Sequence, residues 1–200
     1  MPSPHPTVSL LVLFTVGKRH MSQPSAHREL ILLPAYQLIT VRDPDIDVTD
    51  HSASVIASAR ADVVASTETE LFIHCAQDFI KVTARLELWP RRPATAEPDG
   101  EWTTSPTFEL VSPSGQLVMG TPTGEAVDLP LDEGPGLYGV DVLYRGRDHT
   151  VALRSSMFAT HQDVLSDQAQ QERELHAGTE QYRIRVWRET SLPDDWDDED

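Results

Sequence analysis

The sequence predicts an all-β protein: an antiparallel β-sandwich, jelly-roll-like, with one short helix and a disordered acidic C-terminal tail. Three features point there. Several short segments alternate apolar and polar residues with a period of two, the mark of strands with one wet face. Proline (15 residues) outnumbers glycine (10 residues), and both fall between the alternating segments, where they serve as turns. The last ten residues, "SLPDDWDDED", carry six carboxylates and no apolar periodicity, so they have nothing to pack.

The elements follow in chain order. Residues 1–27 read as a leader. The apolar run "VSLLVLFTVG" (8–17) is too short to span a bilayer, and no small-x-small cleavage pattern follows it. Met21 opens an ordinary polar start, so residues 1–20 are expected to be a mis-called extension or a disordered segment, with an extra edge strand as the alternative. The domain is expected over 28–189 and the acidic tail over 190–200. "ELILLPAYQLITVR" (29–42) is strand-like and split by Pro34. An acidic loop, "DPDIDVTDHS", comes next, and then Val55, Ile56, Ala59 and Val63 recur at helical spacing.

"ELFIHCA" (70–76) and "FIKVTARLELW" (79–89) flank Gln77-Asp78 and read as the arms of a hairpin. The connector "PRRPATAEPDGEW" (90–102) is short enough to be a loop within one domain. "TFELVS" and "QLVMG" enclose "PSG" and read as a second hairpin. "EAVDLP" adds a short strand. "LYGVDVLYR" (137–145) puts Tyr138, Val140, Val142 and Tyr144 on one face. Residues 146–179 are polar, with "SDQAQQERELH" expected to be helical or mobile. "EQYRIRVWRE" (180–189) alternates again, with Tyr182, Ile184 and Val186 opposite Arg183, Arg185 and Trp187.

Charge bounds the partners. The chain has 32 acidic residues against 16 basic ones, a net charge of −16. Such a field repels nucleic acid and anionic membranes and attracts basic proteins. One cysteine, Cys75, rules out an internal disulfide and a cysteine-based zinc site, and fits a reducing cytoplasm.

Few residues promise chemistry. Gly134, Gly136 and Gly139 do not make a phosphate-cradling loop, because a period-two strand follows them where a helix would be needed. "EGPG" is a tight turn into that strand. Asp43, Asp45, Asp47 and Asp50 crowd one loop, yet Val48 and Ser54 occupy the positions where an EF-hand needs Gly and Glu. The eight histidines show no metal-ligand spacing. His74 and Cys75 are adjacent on a strand and point to opposite faces, so they make no thiol–imidazole pair. Trp89 and Trp187 end strands and belong to the core or its rim. Trp196, inside "DDWDDED", has the form of a short docking peptide.

The order of "RELILLPAYQLITVRD", an acidic loop, a short helix, "ELFIHCAQDFIKVTARLEL", "DLPLDEGPGLYGVDVLYRG" and "EQYRIRVW" resembles the competence protein J family and related uncharacterised actinobacterial β-proteins. The resemblance runs over about 28–188, through Glu29–Ile31, Leu129 to Val140, and Tyr182, Ile184 and Trp187. It consists of strand and turn patterns, so it transfers no binding residue. The longer 146–179 segment, the "LDE" before "GPGLYG" and the acidic tail depart from the family pattern. It implies a small acidic β-protein that inhibits a DNA-entry nuclease.

The expectation is therefore a non-enzymatic, cytoplasmic bacterial binding module without cofactor or metal, acting on a basic protein such as a nuclease or toxin. Its expected contacts are Asp43, Asp45, Asp47 and Asp50 with Asp194, Asp195, Trp196, Asp197 and Asp198. The alternatives are a metal-assisted hydrolase using the Asp43–Asp50 loop, or a structural or ligand-binding sandwich.

Overall fold

The computed structural model describes residues 23–46, 52–94 and 101–192. Eleven strands form two sheets within these residues. The first takes β1 (Ala26–Leu32), β5 (Val82–Trp89), β6 (Thr103–Thr104), β7 (Phe108–Ser112), β10 (Gly136–Arg145) and β11 (Gln181–Thr190). The second takes β2 (Leu38–Arg42), β3 (Val64–Ser66), β4 (Glu70–His74), β8 (Gln116–Gly120) and β9 (Ala126–Pro130). Three helices accompany them: α1 (Ser52–Asp62), α2 (Arg147–Thr160) and α3 (Asp167–Leu175).

Strand order in the first sheet is β1-β5-β11-β10, with β6 and β7 both on the outer edge of β10; in the second it is β3-β4-β2-β8-β9. The predicted alternation decides which side chains meet. Tyr138, Val140, Val142, Tyr182, Ile184 and Val186 of the first sheet share one buried cluster with Ile39, Val41, Leu71, Ile73, Leu117, Met119 and Leu129 of the second. That apolar interior is the main source of stability. Outside it, α1 lies on the second sheet through Val55, Ile56 and Ala59 against Ala65 and Phe72.

Several expectations need correction. The sheets are not wholly antiparallel, because β5 and β11 run parallel, and there are three helices where one was expected. The two expected hairpins are crossovers. β4 pairs with β2 and β3 while β5 pairs with β1 and β11; β7 pairs with β10 while β8 pairs with β2 and β9. Gln77 explains the first: its amide oxygen accepts from the Phe79 and Ile80 N–H groups, each at 2.6 Å, and its amide nitrogen donates to the Ile80 carbonyl at 2.8 Å. This wraps the chain around a buried polar side chain and sends it to the other sheet.

The outer face of the first sheet carries polar residues that are nevertheless covered. Arg185 is buried and forks onto the Asp141 carboxylate at 2.7 and 2.8 Å, with a third bond to the Ala94 carbonyl at 3.0 Å. Trp187 and Trp89 are buried on the same face. Gly139 makes room for the Trp187 indole, since a Cβ there would sit 2.5 Å from the ring.

The connections sort to two ends of the molecule. Where β1, β4 and β10 finish and β2, β5 and β11 begin, the register pairs Leu32 with Val82, Leu38 with His74, and Arg145 with Gln181. This helical end carries α2 and α3. The loops after β2, between β3 and β4, between β7 and β8, between β9 and β10, and after β11 gather at the other end. There Ser112 bonds Asp43 and the Val111 N–H bonds the Glu68 carbonyl across the two sheets.

Candidate partner-binding site

The loop end collects carboxylates from distant parts of the sequence. The acidic loop leaves β2 at Arg42, which is paired with Glu70 at the start of β4. Glu68 stands in the β3–β4 turn, and Asp132 and Glu133 in the β9–β10 turn. β11 delivers Glu189 and Thr190, where the acidic tail begins, beside Leu137 at the start of β10. Asp45, Glu68, Asp132, Glu133 and Glu189 line this end, and all five are exposed. The arginines near them turn inward. Arg42 donates to the Ile46 carbonyl at 2.9 Å. Arg188 donates to the carbonyls of Glu133 and Pro135 and pairs with the Glu133 carboxylate at 3.5 Å. Arg42 and Arg188 thus brace the loops; the exposed Arg91 and Arg92, which follow β5 beside β11, add positive charge to this end, and the five carboxylates outnumber them.

Asp43 has a different position from the one expected. It is buried, and its Oδ2 accepts from Ser112 Oγ at 2.6 Å, Ser114 Oγ at 2.8 Å and the Ser114 N–H at 3.0 Å. Its Oδ1 accepts from the Asp45 N–H at 2.9 Å. The carboxylate ties the acidic loop to the β7–β8 turn and presents no free oxygen to a partner or a metal. Asp45 stands out in solvent beside it. Asp47 and Asp50, and Asp194, Asp195, Trp196, Asp197 and Asp198, lie outside the described residues. Glu68, Asp132 and Glu133 are not among the residues the sequence singles out, although "LDEGPG" shows two of them as acids flanking a turn. Glu70, just inside, is buried, and desolvation raises its pKa against the lowering effect of Arg42.

The glycine turn is structural. Gly134 adopts φ 71°, its N–H bonds the Leu131 carbonyl at 2.9 Å, and the Tyr138 hydroxyl donates to its carbonyl. These contacts close a turn that leads into β10.

The polar cluster at the helical end is equally committed. Glu180 is fully buried and its carboxylate accepts from the Ala76 N–H at 2.7 Å, from the Tyr182 hydroxyl and from Gln77 at 3.3 Å, with Arg147 at 3.6 Å. Arg147 also donates to the His74 carbonyl at 2.5 Å and to the Tyr182 hydroxyl at 2.6 Å. Burial raises the pKa of the Cys75 thiol and of the Tyr182 phenol, so both stay protonated at neutral pH. Burial, then the charges of Arg147 and Arg60, lower the pKa of His74. The cluster joins the β4–β5 crossover to the ends of β10 and β11. Its nucleophile is a neutral, inaccessible thiol.

On the outer face of the first sheet, Glu29, Arg85, Glu87, Trp102 and Arg183 line a groove of about 320 Å³. Its charges pair within it: Arg85 with Glu87 at 2.9 Å and Arg183 with Glu87 at 3.3 Å, while the Arg145 and Arg183 guanidinium groups lie 4.4 and 5.6 Å from the Trp102 ring centre. Among the described residues, no group of three or more His, Cys, Asp or Glu is placed to hold a metal ion, and no helix is long and apolar enough to cross a membrane.

No family model matches the chain, and no curated protein matches it. Solved structures with a similar fold include ComJ, inhibitor of the DNA degrading activity of NucA, from Bacillus subtilis. It is 14% identical over 84% of this chain and 99% of that one, with a TM-score of 0.49. The product of crocagin biosynthetic gene J is 19% identical over 82% of this chain and 97% of that one, also with a TM-score of 0.49. Both likenesses are of fold.

Proposed function

We propose that the protein is a non-catalytic acidic binding module that inhibits a basic protein in the bacterial cytoplasm, a nuclease being the class named by the family resemblance. One observation supports this above the rest. Carboxylates from the β2, β3–β4 and β9–β10 loops and the start of the acidic tail emerge at a single end of the two sheets, where Arg42 and Arg188 are spent on backbone carbonyls. A nucleic-acid channel is lined with cations spaced for phosphates. A rigid end bearing carboxylates at several heights competes for those cations without offering a bond to cleave. Charge speeds the encounter and fixes orientation, and packed contacts, Trp196 among them, supply the dwell time.

The test compares the full chain with a variant in which Asp45, Glu68, Asp132 and Glu133 are changed to Asn or Gln. Both are added to lysate of the native cell degrading plasmid DNA. The full chain should slow degradation in a saturable way. The neutralised variant, with the same melting temperature, should need at least about tenfold more protein, since a few screened charge contacts account for about 1.4 kcal/mol. Equal potency of the two proteins, or no effect of either, would contradict the reading and leave the ligand-binding or structural alternative.

A further inference from the structure

The helical end has the opposite character. Seven large apolar side chains are more than two-fifths exposed among the described residues: Ile31, Leu33, Tyr36, Val151, Phe158, Leu165 and Leu175. All seven belong to the end of β1, the β1–β2 turn or the α2–α3 segment, which the topology brings to this one end. Direct contacts join α2 and α3 to the β4–β5 crossover and the start of β5. Phe158 of α2 packs on Phe79 of the β4–β5 crossover, ring centres 4.9 Å apart. Arg154 and Arg173 lie over Phe158 and Phe79, 5.0 and 4.7 Å from the ring centres. Glu174 of α3 pairs with Lys81 at 3.2 Å, and the Gly178 N–H reaches the Lys81 carbonyl at 2.8 Å, at the start of the strand whose Thr83 stands opposite Ile31. Isolated exposed apolar residues are ordinary. Their confinement to one end, with arginines stacked on aromatic rings, has the composition of an interface.

We propose that this end is a homodimer interface, its occupant a second copy of the same chain. The charges decide between occupants. A two-fold interface places one patch against itself, so it needs both signs within that patch. Arg154 and Arg173 share this end with exposed Asp163, Asp167 and Glu174. A purely basic partner would be drawn to the loop end instead, and an anionic membrane is repelled by a chain of net charge −16. Two copies with that charge associate only if their carboxylate-rich loops stay far apart, and joining helical ends achieves this. The dimer then presents two loop ends facing away from each other.

Sedimentation velocity tests this on the full chain from about 1 µM to about 100 µM, the range where an interface worth about 6 to 8 kcal/mol is seen to form. The mass should climb from that of a 22.3 kDa monomer toward twice that value. Phe158→Glu should raise the dissociation constant at least about tenfold by burying a charge in the contact. Leu175→Glu should do the same, and as Leu175 is 80% exposed its variant keeps the fold, which thermal melting verifies. The variant neutralised at Asp45, Glu68, Asp132 and Glu133 should dimerise at least as well, so failure of the inhibitor reading and failure of the dimer are separable. A monomer at every concentration, including one that instead sediments with phosphatidylcholine vesicles, would overturn the proposal. A dimer untouched by both glutamate substitutions would overturn it too.

Discussion

Replacing Asp43 with alanine should weaken the protein by about 3 kcal/mol, because a buried carboxylate accepting several hydrogen bonds is removed while its donors stay behind. The carboxylate takes four bonds between 2.6 and 3.0 Å. A bond to a charged acceptor contributes roughly 1.5–3 kcal/mol net, and four that share one anchor do not add. Part of the loss is recovered, since Ser112 Oγ also lies 3.2 Å from the Gln116 carbonyl and can turn wholly to it. For a domain of this size each kcal/mol lowers the melting temperature by about 2–4 °C, so the alanine variant should melt roughly 6–12 °C below the parent. Asp43→Asn should lose about half as much, because the amide keeps an acceptor but points an N–H₂ group at other donors. Urea and thermal denaturation followed by tryptophan fluorescence measure both. An Asp43→Ala protein within about 0.5 kcal/mol of the parent would refute the view that this carboxylate pins the acidic loop to the β7–β8 turn.

Three other outcomes are expected. Val140→Asp should prevent cooperative folding, because Val140 is fully buried between the sheets and an unpaired charge there costs several kcal/mol; circular dichroism and gel filtration give the answer. Asp141→Ala should cost about 3–5 kcal/mol by removing the carboxylate that takes two bonds from the buried Arg185 guanidinium, whereas Asp141→Leu with Arg185→Met should fold with stability nearer the parent, as denaturant midpoints will show. The Cys75 and Tyr182 pKa values are raised by burial, so the folded chain holds protons that the unfolded chain releases. Stability should therefore be intact below the thiol's ordinary value of 9.0 and fall as the pH climbs past it. Cys75→Ala should flatten the first part of that fall in melting curves taken at successive pH values.

The two-residue alternation was enough to read the faces of the strands. Val140 and Ile184 turn inward, Arg183 and Arg185 outward, and Trp89 and Trp187 close the outer face as core-rim residues. The helical spacing of Val55, Ile56 and Ala59 likewise marked α1 and the side that packs on Phe72. Alternation carries no information about which strand is the neighbour. Short gaps such as Gln77-Asp78 and "PSG" suit a hairpin and a crossover equally; a buried glutamine shapes the first, and the bonds of Ser112 and Ser114 to Asp43 hold the second. α2 escaped notice because its burial is sparse: Thr150 and Met157 are its buried residues, seven apart, and its apolar Val151 and Phe158 stay exposed. In the site, a run of aspartates looks uniform in sequence. The structure divides it by environment, with Asp43 bonded beneath the surface and Asp45 exposed above it. The contributions of Glu68, Asp132 and Glu133 depend on turns that come together only in the fold.

Recognition of a basic protein through the carboxylates of the loop end is tested by the salt dependence of association. The nuclease retained by the immobilised full chain is purified, and its binding is followed by stopped flow at about 50 mM and about 300 mM salt, where screening lengths are about 14 and about 6 Å. The association rate constant should fall at least about tenfold across this range, with a much smaller rise in the dissociation rate. The variant neutralised at Asp45, Glu68, Asp132 and Glu133 should associate more slowly at low salt and show a shallower dependence. An association rate indifferent to salt, or identical in the neutralised variant, would show that the loop-end carboxylates do not guide binding.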